Sequence, residues 1–99
     1  MEQRFTATPG QGLSSVSLPN GTPIKGIQID NPSGSWLYVV SERQYCPPYT
    51  IGWAMPLSYE QSSITIEYRA TGPANQASTL EGDNWTMYLY EEVVEGGSC

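Results

Sequence analysis

Ser63-Ile64-Thr65-Ile66-Glu67-Tyr68-Arg69 decides the fold class. Apolar and polar residues alternate through it without a break. Ile64, Ile66 and Tyr68 fall on one face, and Thr65, Glu67 and Arg69 on the other. Side chains along a strand point to opposite faces in turn, so this period of two predicts a half-buried antiparallel strand.

Working toward the C-terminus, residues 71–83 are a polar loop closed by Gly82-Asp83-Asn84. Asn84 to Val94 reads as the last long strand, with Trp85, Met87 and Leu89 on one face and Tyr88 and Tyr90 on the other. A helix over Met87 to Glu95 is the weaker reading, because β-branched and aromatic residues lose rotamer freedom against a helical turn. Glu95-Gly96-Gly97-Ser98-Cys99 reads as a flexible tail.

Toward the N-terminus, Tyr49 to Ala54 reads as a short edge strand ended by Met55-Pro56-Leu57. Tyr45-Cys46-Pro47-Pro48-Tyr49 cannot be an interior strand of a ladder, because its two prolines donate no hydrogen bonds. Ser35 to Val40 alternates with apolar groups on both faces: Trp36, Tyr38 and Val40 against Leu37 and Val39. That places it centrally, or with its second face against a partner. Asn31-Pro32-Ser33-Gly34 carries turn chemistry and predicts a hairpin back to the strand Ile24 to Asp30, where Ile27 and Ile29 share a face. Pro19-Asn20-Gly21, the run Leu13 to Leu18, the turn Pro9-Gly10-Gln11-Gly12 and the run Arg4 to Thr8 complete the pass.

Seven to eight short strands at this spacing predict an all-β fold: an antiparallel β-sandwich, jelly-roll-like. The Cys, Trp and Cys spacing of an immunoglobulin domain is absent. At 99 residues the chain is one domain, 1–99, with a short N-terminal arm over about 1–12 and the tail at 95–99.

Charge narrows the partners. The net charge is −6, with only Lys25, Arg4, Arg43 and Arg69 as bases. Phosphate backbones and anionic membranes require basic groups, so nucleic acid and membrane surfaces are excluded as partners. From Glu67 onward the chain carries six acids (Glu67, Glu81, Asp83, Glu91, Glu92, Glu95) against Arg69 alone. Such an edge keeps a protein soluble, and it also complements a basic surface.

The residues for chemistry are missing. There is no histidine, which removes the commonest general base, metal ligand and nucleophile partner. Lys25 sits in an ordinary alternating strand, and Cys46 has no base to activate it. Two cysteines so far apart, Cys46 and Cys99, make no zinc motif, and free thiols are expected of both. The turn oxygens of Asp30 and Asn31, or of Glu81, Asp83 and Asn84, read as turn formers before calcium ligands. We expect no enzyme activity, no metal and no cofactor. The start MEQRFTATPG lacks the pattern of a secretion signal, so synthesis in a cytoplasm is expected.

Aromatic residues make up 11% of the chain. Trp36 and Trp85 belong to the core by this reading. Tyr45, Tyr49 and Trp53, in the proline-rich middle, are the candidates for exposed contact.

The stretch Asp30-Asn31-Pro32-Ser33-Gly34-Ser35-Trp36-Leu37-Tyr38-Val39, followed by Pro47-Pro48-Tyr49-Thr50-Ile51-Gly52-Trp53, resembles small virion proteins of tailed bacteriophages. The resemblance implies a structural protein of the virion, made in the host cytoplasm. The leading expectation is a head decoration, or cement, protein that binds the major capsid protein, with a homotrimer favoured. Tail, baseplate or fibre components, and a carbohydrate- or host-surface-binding module, are the alternatives. The expected contact residues are Arg4, Phe5, Tyr45, Tyr49 and Trp53.

Overall fold

The computed structural model describes residues 2–7, 13–16, 23–79 and 81–92. Eight strands follow in order: β1 (Glu2–Ala7), β2 (Leu13–Val16), β3 (Ile24–Asn31), β4 (Trp36–Val39), β5 (Gln44–Cys46), β6 (Thr50–Gln61), β7 (Ile64–Arg69) and β8 (Trp85–Tyr90). They form two four-stranded sheets, ordered β1-β8-β3-β6 and β2-β7-β4-β5, with every pairing antiparallel.

The order has a simple generator. β4 pairs with β5, β3 with β6, β2 with β7 and β1 with β8, as along one long folded ribbon. Rolling that ribbon brings β8 beside β3 and β7 beside β4. This is the eight-stranded jelly roll. The segment expected as an N-terminal arm contains β1, which is hydrogen-bonded along β8 from Glu2↔Tyr90 to Ala7↔Trp85. The turns at Pro9 and Pro19 and the tail at 95–99 lie outside the described residues.

The alternation read from sequence places the core. Ile64 and Ile66 of β7, with Trp85, Met87 and Leu89 of β8, are fully buried, and Tyr68 packs against them. They meet Ile24, Ile27 and Ile29 of β3, and Leu37 and Val39 of β4. Each such side chain contributes about 1.5–3 kcal/mol by leaving water. Trp85 Nε1 donates to Tyr68 Oη, so one half-buried bond joins the two sheets.

One side chain of β4 and one turn depart from the expectation. β4 is central in its sheet, and Leu37 and Val39 face the core. Trp36 is also buried, but on the sheet's outer side. Its ring lies so close under Gly72 that a Cβ there would stand 2.2 Å from an indole carbon. Tyr38 and Tyr45 extend this outer cluster at 4.8 Å between rings, with the Arg69 guanidinium 4.0 Å from the Tyr38 ring centroid. Trp36 Nε1 is buried without a hydrogen-bond partner.

The second departure is the Asn31-Pro32-Ser33-Gly34 turn. It does not close a hairpin, because β3 and β4 belong to different sheets. The turn chemistry was read correctly, but the turn serves as a corner between layers. Asn31 is the physical reason. Its side chain is fully buried and gathers the corner around itself instead of leaving the backbone free to double back.

Candidate functional site

The Asn31 corner builds one end of the sandwich. Asn31 Nδ2 donates to Ser35 O and Pro47 O, both at 2.9 Å. Its Oδ1 accepts from Ser33 N at 3.2 Å and Ser33 Oγ at 2.5 Å. Ser35 Oγ donates to Thr79 O, Gly34 N to Glu81 O, and Tyr49 N to Ser33 O. Hydrogen bonds thereby join residues 31–35 and 47–50 to Thr79 and Glu81 at this end.

Tyr49 stands at that end. Its φ of 56° puts a bulky side chain in the left-handed region, at a cost of roughly 1–3 kcal/mol. The side chain is 73% exposed. Its phenol oxygen lies 2.8 Å from the place a Cβ on Gly34 would occupy, so the absent side chain of Gly34 makes room for it. An exposed aromatic thus rises from a strained backbone over a buried polar knot.

Ile51 stands beside it, 64% exposed. Here β6 is bulged: Ile51 and Gly52 together oppose Asp30 alone, between the pairs Asn31↔Thr50 and Ile29↔Trp53. Gly52 supplies the positive φ of 77°, and its N–H donates to Asp30 Oδ1 at 2.8 Å. A bulge shifts the alternation by one. Trp53 is therefore turned inward, 8% exposed, and Ile51 outward. This corrects the expectation that Trp53 is exposed. Glu81 and Asp83 are exposed in the adjoining loop, where Gly82 bridges to Ser33.

The opposite end carries a second apolar pair. Between Gly26↔Pro56 and Ile24↔Gln61, β6 has four residues where β3 has one. Tyr59 projects from this excursion with 61% exposure, and Val40 of the β4–β5 turn is 40% exposed. Glu42 ties turn to excursion, accepting from Gln61 Nε2 at 2.8 Å and from Ser58 N and Oγ. β3 spans the two ends, a reach of roughly 23 Å at about 3.3 Å per residue.

The other expected contact residues fall as follows. Tyr45 lies in β5, half-buried, where its hydroxyl accepts from Arg69 Nη1 at 3.1 Å. Arg69 Nε also donates to Glu67, and that bond raises the guanidinium pKa further. The backbones of Arg4 and Phe5 pair with Tyr88 and Met87, while their side chains lie outside the described residues. Ile51, Tyr59 and Val40 were missed. Gly52 and Pro56, both inside one strand-like run, were the available signals of an irregular edge.

Among the described residues there is no cavity or cleft, and no group of three acidic, cysteine or histidine side chains placed to hold a metal ion. Cys46 is buried, and Asp30 Oδ1 and Asn31 Oδ1 accept from the protein's own N–H and O–H groups. No protein-family model, curated protein or solved structure matches the chain.

Proposed function

We propose that this protein is a non-enzymatic structural component of a bacteriophage virion, acting as a head decoration (cement) protein. The observation that carries the reading is the pair of solvent-facing apolar patches at opposite ends of one edge strand: Tyr49 with Ile51, and Tyr59 with Val40. Cementing requires one molecule to touch two neighbouring subunits, so that loosening the shell means breaking both contacts. Symmetric repetition then turns a modest contact into a large total. The jelly roll, a fold used by viral capsid and lectin domains, and the resemblance of about residues 24–68 to tailed-phage virion proteins support the same reading.

The contacts are made by side chains. β6 is bulged twice and carries Pro56, features that discourage another strand from pairing with an edge. A glycan-binding role would have to rest on Tyr49 and Tyr59, because Trp36, Trp53 and Trp85 are all buried.

The test is size-exclusion chromatography with light scattering, on the protein alone and mixed with capsid shells of tailed phages. A stable oligomer, with a trimer expected, that co-migrates with shells and raises their melting temperature agrees with the proposal. Failure to bind any shell, together with glycan binding that Tyr49→Ala abolishes, replaces it with the carbohydrate-binding alternative.

A further inference from the structure

The two apolar ends differ in their bases: both carry exposed acids, Glu60 beside Tyr59 among them, but exposed bases stand at one end only among the described residues. Around Tyr49 and Ile51 the exposed charges are Glu81 and Asp83. Arg69, at the end of β7, has its guanidinium engaged by Glu67 and Tyr45. The exposed bases Lys25 and Arg43 lie at the far end, next to the Ile24↔Gln61 pair and in the β4–β5 turn. An apolar tip beside two free carboxylates fits a pocket of opposite design. The same tip on a second copy would set like charges against each other.

We propose that Tyr49 and Ile51 anchor in an apolar pocket rimmed by lysine and arginine on a different protein, with Glu81 and Asp83 facing that rim. This deepens the structural reading above by naming the chemistry of one contact. Three features favour an anchor. Tyrosine offers a large amphipathic surface with few torsions to freeze. The Tyr49 backbone is tied to Ser33 O and its hydroxyl lies over the Gly34 gap, so the residue's attachment is set before any partner arrives. The carboxylates at the side add steering and partner choice more than affinity.

The probe is a yeast-displayed library of random linear peptides, panned against the folded protein at low salt. Enriched peptides should join a large apolar side chain to lysine or arginine. They should bind Tyr49→Ser and Ile51→Ser at least about tenfold more weakly, and should weaken as salt screens the rim. Glu81→Lys with Asp83→Lys should lose binding in the same way, while Tyr59→Ser should leave it intact. Tryptophan fluorescence confirms that each variant is folded. No enrichment, enrichment of peptides without bases, or full binding to Tyr49→Ser overturns the proposal, as does self-association through this tip.

The same variants, mixed with capsid shells, separate the two readings. Shell binding that ignores Tyr49→Ser defeats the anchor and leaves the structural role standing. Peptide binding with the expected signature, but no shell binding, keeps the anchor and defeats the role.

Discussion

The two ends of the sandwich are tied by knots of similar size and opposite setting. At one end Asn31 makes four hydrogen bonds of 2.5–3.2 Å with no exposed surface. At the other, Glu42 gathers Ser58 and Gln61 over a comparable range, with Ser58 exposed. Both tie a strand end to a neighbouring loop or turn. They differ in what replaces a lost bond. Water reaches the exposed Ser58 beside Glu42, though Gln61 is buried, whereas around Asn31 most broken bonds leave a carbonyl or hydroxyl in a buried corner.

Breaking the buried knot gives the largest effect. Asn31→Ala strands Ser35 O, Pro47 O and the Ser33 hydroxyl at once, for a loss of about 3 kcal/mol or more. Urea unfolding should show a lower midpoint at unchanged slope. Hydrogen exchange should quicken at Ser33, Ser35 and Tyr49, whose amides the knot fixes. A loss under about 1 kcal/mol would mean that water enters this end as easily as the other, and the contrast would fail.

A pair of glycines repeats the contrast between crowded and open surroundings. A Cβ at Gly72 would fall within 2.2–2.7 Å of three Trp36 ring atoms, so Gly72→Ala must displace the indole at a cost of about 1–3 kcal/mol. Gly52 has nothing within 4 Å, and Gly52→Ala meets only the strain of its positive φ, about 1 kcal/mol. Paired melting curves check the order. Equal losses would show that Trp36 shifts freely beneath its loop.

The same division explains what was legible in the sequence. β7 and β8 are buried on one face, and their alternation at Ile64, Ile66, Trp85, Met87 and Leu89 gives the strands and the core directly. Regular pattern marks regular structure. The corner at Asn31 reads locally as a hairpin, because turn residues encode a change of direction and not the sheet to which the chain returns. Nothing in the sequence says that Asn31 will meet Pro47, since that contact spans 16 residues and exists only once the roll has closed. The candidate tip was half legible. Tyr49 follows from two prolines, which keep it out of a ladder. Ile51 and Trp53 share a parity, and only the bulge at Gly52 sends one out and the other in.

A single half-buried bond should sit between the extremes. Tyr68 lies where burial raises its phenol pKa above the ordinary value, outweighing the opposing pull of the Trp85 hydrogen bond. The folded state therefore favours the neutral phenol. Its contribution is present below about pH 10, where an unfolded tyrosine begins to ionise, and is lost as pH rises through the folded value. Stability should decline above pH 10. Tyr68→Phe should make that decline shallower, while costing about 1 kcal/mol at neutral pH by leaving Trp85 Nε1 without this acceptor. An unchanged alkaline slope would remove Tyr68 from the account.

The smallest effect belongs to Glu42, and it tests the comparison from the other side. Glu42→Ala removes as many bonds as Asn31→Ala, so a count of hydrogen bonds would rank the two alike. Solvation ranks them far apart. Ser58 is exposed and turns to water, and Gln61 keeps its amide contact with Tyr59 O at 3.4 Å. The expected loss is under about 1 kcal/mol. The change should be local, with faster hydrogen exchange across residues 57–61 and no change at Tyr49, because the two knots share no partner and lie roughly 23 Å apart along β3. If Glu42→Ala also loosened Tyr49, β6 would be transmitting strain between its two patches. A protein that bridges two subunits would then sense one contact at the other.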